Sequence, residues 1–354
     1  MPTTGLLLGK FLPPHRGHQY LVDFARFYAD DVTVHVCSTP AEPIAGSLRF
    51  RWVRDHFAGV PGVRVVHNDD PLPQTPEESP HDFYDLWRDS LLSRMERKPD
   101  FVFASEPYGY PLAESLGAHY IPVDHARERV PVSGTLLRSD PARYFEYLLP
   151  PARPYFARRV ALVGPESSGK STLTAHLAHT FGAVHAAEYA RGFLEAAPHY
   201  WLTSTETGTE NGFNTEALEI ILRGQRASVE AMALQCTGGV VFSDTEAIVT
   251  ACWAQVLLGH VPPIVEEFVQ TQQFDLYLVT SATESWVDDT SRVQPAYAER
   301  YAFEQEVVTR LQAQGYPYLI LRGTWNERTQ QAETAVKNLL ATPRNQGRDE
   351  PLLR

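Results

Sequence analysis

Short apolar, β-branched runs alternate along this chain with longer stretches whose apolar positions recur every three to four residues. Thr4 to Gly9, Val32 to Cys37, Val63 to His67, Phe101 to Ala104 and Ala118 to Ile121 have the length and composition of strands. Gly17 to Ala29, Leu48 to Ala58 and Phe83 to Arg97 have the helical period. Asp70 to His81 is polar and rich in proline and reads as a loop. At Leu149-Pro150-Pro151-Ala152-Arg153-Pro154 the pattern breaks. Three prolines fix φ and remove backbone donors, so a linker is expected there, neither helix nor central strand. The alternation then restarts, with strands at Arg159 to Val163, Ala183 to Glu188, Val240 to Asp244, Leu276 to Thr280 and Tyr318 to Arg322. Helices are expected over Lys170 to Thr180, Glu216 to Gln235 and Glu246 to Leu258, with one more after the last strand. Trp201 to Thr215 is a polar loop, and the tail from Thr342 onward reads as frayed. The pattern predicts an α/β protein of two domains, residues 1–150 and 155–345, each a parallel sheet with helices on both faces. A chain of 354 residues is long enough for each half to bury its own core.

The formal net charge of -12 argues against a general nucleic-acid binder, although a local basic pocket is compatible with it. Cys37, Cys236 and Cys252 are widely spaced, which gives neither a disulfide framework nor a zinc site and fits a reducing cytosol. No secretory signal and no apolar run of membrane-spanning length is visible. Cytoplasmic placement, no nucleic acid and no membrane are therefore expected, with a homo-oligomer left open.

In the second half, Gly164-Pro165-Glu166-Ser167-Ser168-Gly169-Lys170-Ser171-Thr172 fits G-x-x-x-x-G-K-[ST] and lies between an apolar strand and a helix, the context that gives the pattern meaning. Its glycines let backbone N–H groups turn inward around phosphate, and the helix N-terminus adds partial positive charge. Lys170 can reach the β- and γ-phosphates of ATP, and Ser171 can ligand Mg²⁺. Asp244, at the end of a strand, is placed for a second carboxylate near the metal, or else caps the following helix. Glu188 and Arg191, in Glu188-Tyr189-Ala190-Arg191, lie past the carboxyl end of a strand, where ligands bind in such sheets. Glu188 can orient or deprotonate a sugar hydroxyl, or form a surface ion pair. Arg292 and Arg300 are either cations that a closing loop brings to the phosphoryl group or part of a solvated helix entry.

In the first half, a strand runs into Gly9-Lys10-Phe11-Leu12-Pro13-Pro14-His15-Arg16-Gly17-His18. Two histidines three apart at a helix start can present both imidazoles to one phosphate cluster, with Lys10 as a mobile cation, Gly9 permitting close backbone approach and Gly17 leaving room. Far along the same half, Ser133-Gly134-Thr135-Leu136-Leu137-Arg138 opens another helix and makes either an anion site or an ordinary N-cap.

These two strings together resemble the nucleotidylyltransferase superfamily. Ala104-Ser105-Glu106-Pro107-Tyr108-Gly109-Tyr110-Pro111 and the stretch from Ser133 to Pro141 are similar to bacterial NadR-type nicotinamide mononucleotide adenylyltransferases. The phosphate loop, Glu188-Tyr189-Ala190-Arg191 and Trp286-Val287-Asp288-Asp289 resemble the ribosylnicotinamide kinase fused to that transferase. The resemblance spans roughly residues 4 to 340. It implies a Rossmann-like nucleotidylyltransferase sheet followed by a P-loop kinase sheet, two ATP sites, Mg²⁺, and conversion of nicotinamide riboside through the mononucleotide to NAD. It further implies that Lys10, His15, His18 and Arg138 meet the triphosphate, with Ser133 and Thr135 as donors and Gly9, Phe11, Gly17 and Gly134 lining the site. In the kinase, Lys170, Ser171, Thr172 and the rest of the loop hold the phosphates, and Glu188 or Asp244 takes the hydroxyl proton. Trp87 is a candidate face for the cationic nicotinamide ring, with a core aromatic as the other reading. Tyr189 and Trp286 are its counterparts in the kinase. Some relatives carry an N-terminal helix-turn-helix repressor segment. With the first strand starting near Thr4, the two enzymes are expected without the repressor. The competing readings are the same folds with other substrates, a nucleotide-binding sensor, and an ATPase without an acceptor.

Overall fold

The computed structural model describes residues 2–196, 214–272, 274–282, 294 and 296–342. The chain folds as two compact units that meet in sequence at Phe156 and Ala157. In the first unit, β1 (Thr4–Gly9), β2 (Asp31–Cys37), β3 (Val63–Asn68), β4 (Phe101–Ala104) and β5 (His119–Pro122) form one sheet in the order β3-β2-β1-β4-β5. Every pairing in it is parallel. Its helices are α1 (Arg16–Tyr28), α2 (Gly46–Phe57), α3 (Phe83–Leu92), α4 (Gly109–Leu116), α5 (Gly134–Ser139) and the single turn α6 (Arg153–Phe156). Both faces of β1 are buried. Leu7 joins the cluster with Val22, Ala25 and Val34, while Leu6 packs with Leu91, Leu112 and Leu116 on the other side. A strand covered on both faces reads as a continuous apolar run, which is why Gly5 to Leu8 carries no polar residue.

The second unit, Ala157–Thr342, repeats the plan. Strands β6 (Arg158–Val163), β7 (Val184–Ala186), β8 (Val240–Asp244), β9 (Leu276–Thr280) and β10 (Tyr318–Leu321) lie parallel in the order β10-β9-β6-β8-β7. Around them run α7 (Lys170–Thr180), α8 (Tyr189–Ala196), α9 (Thr215–Gln235), α10 (Ala247–Leu258), α11 (Pro263–Thr271), α12 (Tyr297–Gln314) and α13 (Trp325–Ala341). Along β6, Val160 and Leu162 point to one core and Ala161 and Val163 to the other, as the two-residue repeat of a strand requires.

The proline segment departs from its reading as a linker. Pro150–Ala152 forms a 3₁₀ turn and Arg153–Phe156 a helical turn. Ala152 and Tyr155 are buried against Ile44, Leu48 and Trp52. Proline is tolerated in a first helical turn because its missing N–H has no intrahelical partner there, so these prolines are part of the first unit's packing. The helix expected over Phe83 to Arg97 ends at Leu92, where the Ser93 hydroxyl donates to the Ser90 carbonyl at 2.7 Å and Arg94 turns to grip Asp70 through two 2.7 Å contacts. Helices α4, α8, α11 and α12 have no counterpart in the sequence pattern: the first three run only eight or nine residues, and the long α12 carries Arg300 and Glu304 on its buried stripe, which blurs its apolar period.

Candidate active sites

In the first sheet the topology reverses direction at β1, which leaves a crevice at the carboxyl end of that strand. A cavity of about 910 Å³ opens there, lined by Gly9, Lys10, Phe11, His15, Gly17 and His18 and by Ser133, Gly134, Thr135 and Arg138 from over a hundred residues away. Gly134 and Arg138 join the two strings. A Cβ on Gly134 would sit 2.4 Å from the Leu12 carbonyl oxygen, and the Arg138 guanidinium donates to that same carbonyl.

The histidines form one unit. His15 caps α1, its Nδ1 accepting from the Gly17 N–H at 3.1 Å, while His18 Nδ1 accepts from the His15 N–H at 3.1 Å. Their rings lie 3.7 Å apart, and Phe11 covers His18 with ring centroids 4.5 Å apart. Because each Nδ1 accepts, the neutral rings carry their proton on Nε2. Burial, with Arg127 adding to it, lowers the His15 pKa to about 4; burial, His15 and Arg127 hold His18 well below its ordinary value. At neutral pH each ring therefore offers an Nε2–H as a donor.

The cations are Lys10, Arg138 and Arg127. Lys10 pairs with Glu42 at 3.0 Å. Glu42 is held in turn by the fully buried Arg49, which also donates to the Lys10, Cys37 and Ile44 carbonyls. Ser133 Oγ accepts from the Leu136 N–H at 3.2 Å, so this hydroxyl does cap α5 while also lining the cavity. Trp87 lines the cavity as well, its indole N–H donating to the Pro73 carbonyl at 3.0 Å and its ring packing with the β4–α4 core. Trp87 thus packs as a core aromatic while part of it faces the cavity.

Arg127 is missing from the sequence reading. It lines the cavity from a left-handed backbone at φ 53° and pairs with Glu106 at 2.8 Å. In sequence it is one charge in Ala126-Arg127-Glu128-Arg129, with no motif to set it apart.

In the second unit the phosphate loop follows β6. Gly164, Ser167 and Gly169 have φ values of 139°, 57° and 88°, which turn successive N–H groups toward one concavity. A Cβ on Gly164 would meet the Thr280 carbonyl oxygen at 2.4 Å. The Ser168 hydroxyl bonds the Pro165 carbonyl at 2.7 Å and the Thr280 hydroxyl at 2.6 Å, and Lys170 Nζ donates to the Pro165 carbonyl at 2.8 Å. Burial lowers the Lys170 pKa, opposed by Glu188, Asp244 and Glu166. Those carboxylates therefore share the lysine's electrostatic neighbourhood. Ser171 and Thr172 are exposed in the first turn of α7.

Asp244 ends β8 beside β6, and its buried Oδ1 has no hydrogen-bond partner among the described residues. Glu246, not Asp244, caps α10 by accepting from the Ile248 N–H at 2.9 Å, so the capping alternative for Asp244 is removed. Glu188 does pair with Arg191, at 3.6 Å. It is also partly buried, and this desolvation raises its pKa, with Lys170 the main opposing charge.

Tyr189 opens α8, its N–H donating to Gln225 Oε1 at 2.8 Å and its ring filling the space where a Cβ on Gly224 would be. Gln225 passes that link on to the Ser243 hydroxyl at 3.0 Å and the Asp244 carbonyl at 3.3 Å. Its sequence signal is a polar residue on the apolar stripe Leu218, Ile221, Leu222 and Val229 of α9. Arg300 is buried at 1% exposure and donates to the Gln294 carbonyl at 3.1 Å, while the Gln294 N–H donates to Glu166 at 3.1 Å. It thus ties backbone to the phosphate loop and is not a solvated charge. Trp286 and Arg292 lie outside the described residues.

The family model described as an AAA domain matches residues 159–328. Over 324 residues the chain is 28% identical to the trifunctional NAD biosynthesis/regulator protein NadR of Salmonella typhimurium, which covers 87% of this chain and 76% of the relative. Its counterpart in Escherichia coli K12 is 28% identical over 327 residues, 88% of this chain and 76% of that protein. A crystal structure of NadR protein in complex with NR superposes with a TM-score of 0.73 at 22% identity, covering 96% of this chain and 97% of its own. Another, of NadR protein in complex with NAD and AMP-PNP, gives 0.72 at 22%, covering 100% and 99%. Sequence relationship and fold thus run together along nearly the whole length, and the chain is a homologue of the NadR proteins.

Proposed function

We propose that the second unit phosphorylates nicotinamide riboside and that the first converts the resulting mononucleotide to NAD, each consuming one ATP. The observation that carries this reading is that a cavity lined by cations and imidazoles and a loop of inward-turned N–H groups, both suited to phosphate, stand on one chain homologous to a NAD-biosynthesis protein. In the kinase step the 5′-hydroxyl oxygen of the riboside attacks the γ-phosphorus, the bond to the bridging β-oxygen breaks, and ADP leaves. The hydroxyl proton passes to Glu188, whose raised pKa brings it nearer the neutral range where a general base is efficient. Lys170 and the loop N–H groups hold the transferred charge. The orphaned Asp244 carboxylate oxygen and the exposed Ser171 hydroxyl fit a magnesium ion, which would neutralise β- and γ-phosphate charge.

In the transferase step a phosphate oxygen of the mononucleotide attacks the α-phosphorus and pyrophosphate leaves. The nucleophile is already an anion, so no base is required. Catalysis is positioning plus charge stabilisation by Lys10, Arg138 and Arg127, with the His15 and His18 Nε2–H groups as donors. Trp87 offers the aromatic face for nicotinamide. Three buried free thiols and two ATP-consuming steps fit a cytosolic enzyme acting on small molecules.

The test is chromatography of products from the full chain with nicotinamide riboside and excess Mg-ATP. NAD is expected from wild type and mononucleotide from His18→Ala. Riboside left unconsumed by folded protein would overturn the kinase assignment and favour other substrates or a sensor.

A further inference from the structure

The phosphate loop has an outer neighbour that neither the sequence motifs nor the reaction steps account for. Trp325, the first residue of α13, is 36% exposed, and its indole N–H makes no hydrogen bond among the described residues. Its ring lies against the loop: a Cβ built on Gly169 would be 3.4 Å from Trp325 Cζ3, ordinary van der Waals contact. One turn on, Arg328 donates from Nη1 to the Ser168 carbonyl at 2.9 Å, and its guanidinium carbon lies 5.9 Å from the Trp325 ring centre. Arg328 Nε is buried and has no partner among the described residues.

The rest of this corner is rigid. Thr324 and Glu327 close a capping box at the start of α13, His176 of α7 meets Glu333 of α13 at 3.1 Å, and Ala332 and Val336 are buried with Leu173 and Leu177. An indole is held half in water on a fixed helix start, beside the glycine that precedes the phosphate-binding lysine. An exposed ring so placed suits a flat aromatic ligand that also carries phosphate.

We propose that Trp325 is the stacking platform for the nucleobase of the kinase's ATP, and that Arg328 is a positioning residue that fixes the platform to the loop through Ser168. The proposal rests on the kinase reading above. Stacking on one face reads no base edge, so the platform should hold adenine and guanine alike. Trp325→Ala should raise the KM for ATP in riboside phosphorylation about tenfold and that for GTP by a similar factor, with kcat within about twofold. Trp325→Phe should recover most of the loss, and binding of magnesium tripolyphosphate should be unchanged in all three proteins.

An unchanged KM for ATP in Trp325→Ala would overturn the proposal. So would a parallel loss of tripolyphosphate binding, which would mean that the loop itself is distorted, or a Phe variant as poor as Ala. A second readout does not need the riboside. In a Trp87→Phe background, AMP-PNP should quench tryptophan fluorescence, and the further change Trp325→Phe should remove that quench. A quench that depends on Trp325 in a protein that leaves the riboside untouched would sink the kinase reading and keep the platform. Riboside turnover without such a quench would do the reverse.

Discussion

The cavity of the first unit and the loop of the second both receive a triphosphate in the proposed reactions, yet they are built from different material. The first is a set of side chains gathered from two strings more than a hundred residues apart and locked by Gly134, Arg138 and the buried Arg49. The second is a continuous stretch of backbone, bent by three residues of positive φ, with one lysine threaded through it. A side-chain site is tuned by burial and protonation, and a backbone site by what its turns exclude. The two should fail in different ways.

The largest effect is expected at Lys170, the cation of the backbone site. Lys170→Ala should lower riboside phosphorylation by about a thousandfold, since it removes a charge aimed at the transferring group. The transferase, assayed with added mononucleotide, should be unaffected. Loss of both activities would mean that the two sites are not independent. In the proposed transferase step the work is shared among Lys10, Arg138, Arg127 and two imidazole donors, so one deletion should cost less. His18→Ala is expected to slow adenylyl transfer about a hundredfold with riboside phosphorylation intact. A drop below tenfold would demote the histidine pair to a helix cap, which the bonds of His15 and His18 to the α1 backbone already make it in part.

A methyl group tests how far Thr280 sets the shape of the backbone site. Gly164→Ala puts a Cβ about 2.4 Å from the Thr280 carbonyl at a φ of 139°, so a strand or the loop must shift. About 2–3 kcal/mol of stability should be lost, read as a shift of the urea midpoint for the second unit. The corresponding change at Gly9, whose Cβ would find only the Phe11 ring at 3.5 Å, should cost far less. Equal costs would mean that the loop's shape is not set by Thr280.

The same contrast explains how much could be read from the chain. The phosphate loop was legible whole, because a backbone site must be contiguous in sequence and its glycines mark the turns. The histidine string and Ser133 to Arg138 were legible as pieces, but Arg127 and Arg49 were not. A side chain recruited through tertiary contact carries no local pattern. Gln225 left only a polar residue in an apolar stripe, and α4 and α12 left weak periodicity. The proline segment misled because its rigidity serves packing against Trp52 rather than separation. Asp244 could not be told from a helix cap until Glu246 was seen to hold that position.

The smallest effect follows from burial of imidazoles in the first unit, a vulnerability the backbone site lacks. His35 of β2 is fully buried, its ring nitrogens without partners among the described residues. Burial, with Arg94 and Arg64 adding to it, lowers its pKa from 6.5 to about 4. The unfolded chain takes up this proton below pH 6.5, whereas the folded chain resists until about pH 4. The stabilisation is therefore complete above pH 6.5 and is lost progressively as the pH falls toward 4. At pH 5 the loss from His35 alone is about 2 kcal/mol. His15 adds a loss of the same sign over the same range, since its pKa is also lowered to about 4. Anionic ligand at the cavity should offset the His15 part and leave the His35 part untouched. Hydrogen exchange of β2 peptides, corrected for the intrinsic pH dependence, should show the unit loosening between pH 7.5 and 5 in wild type. In His35→Phe the loosening should be smaller by about the His35 share. If the variant loosens as much as wild type, the buried ring is not what makes the first unit sensitive to acid, and the His15–His18 pair and the surface carboxylates must carry all of it.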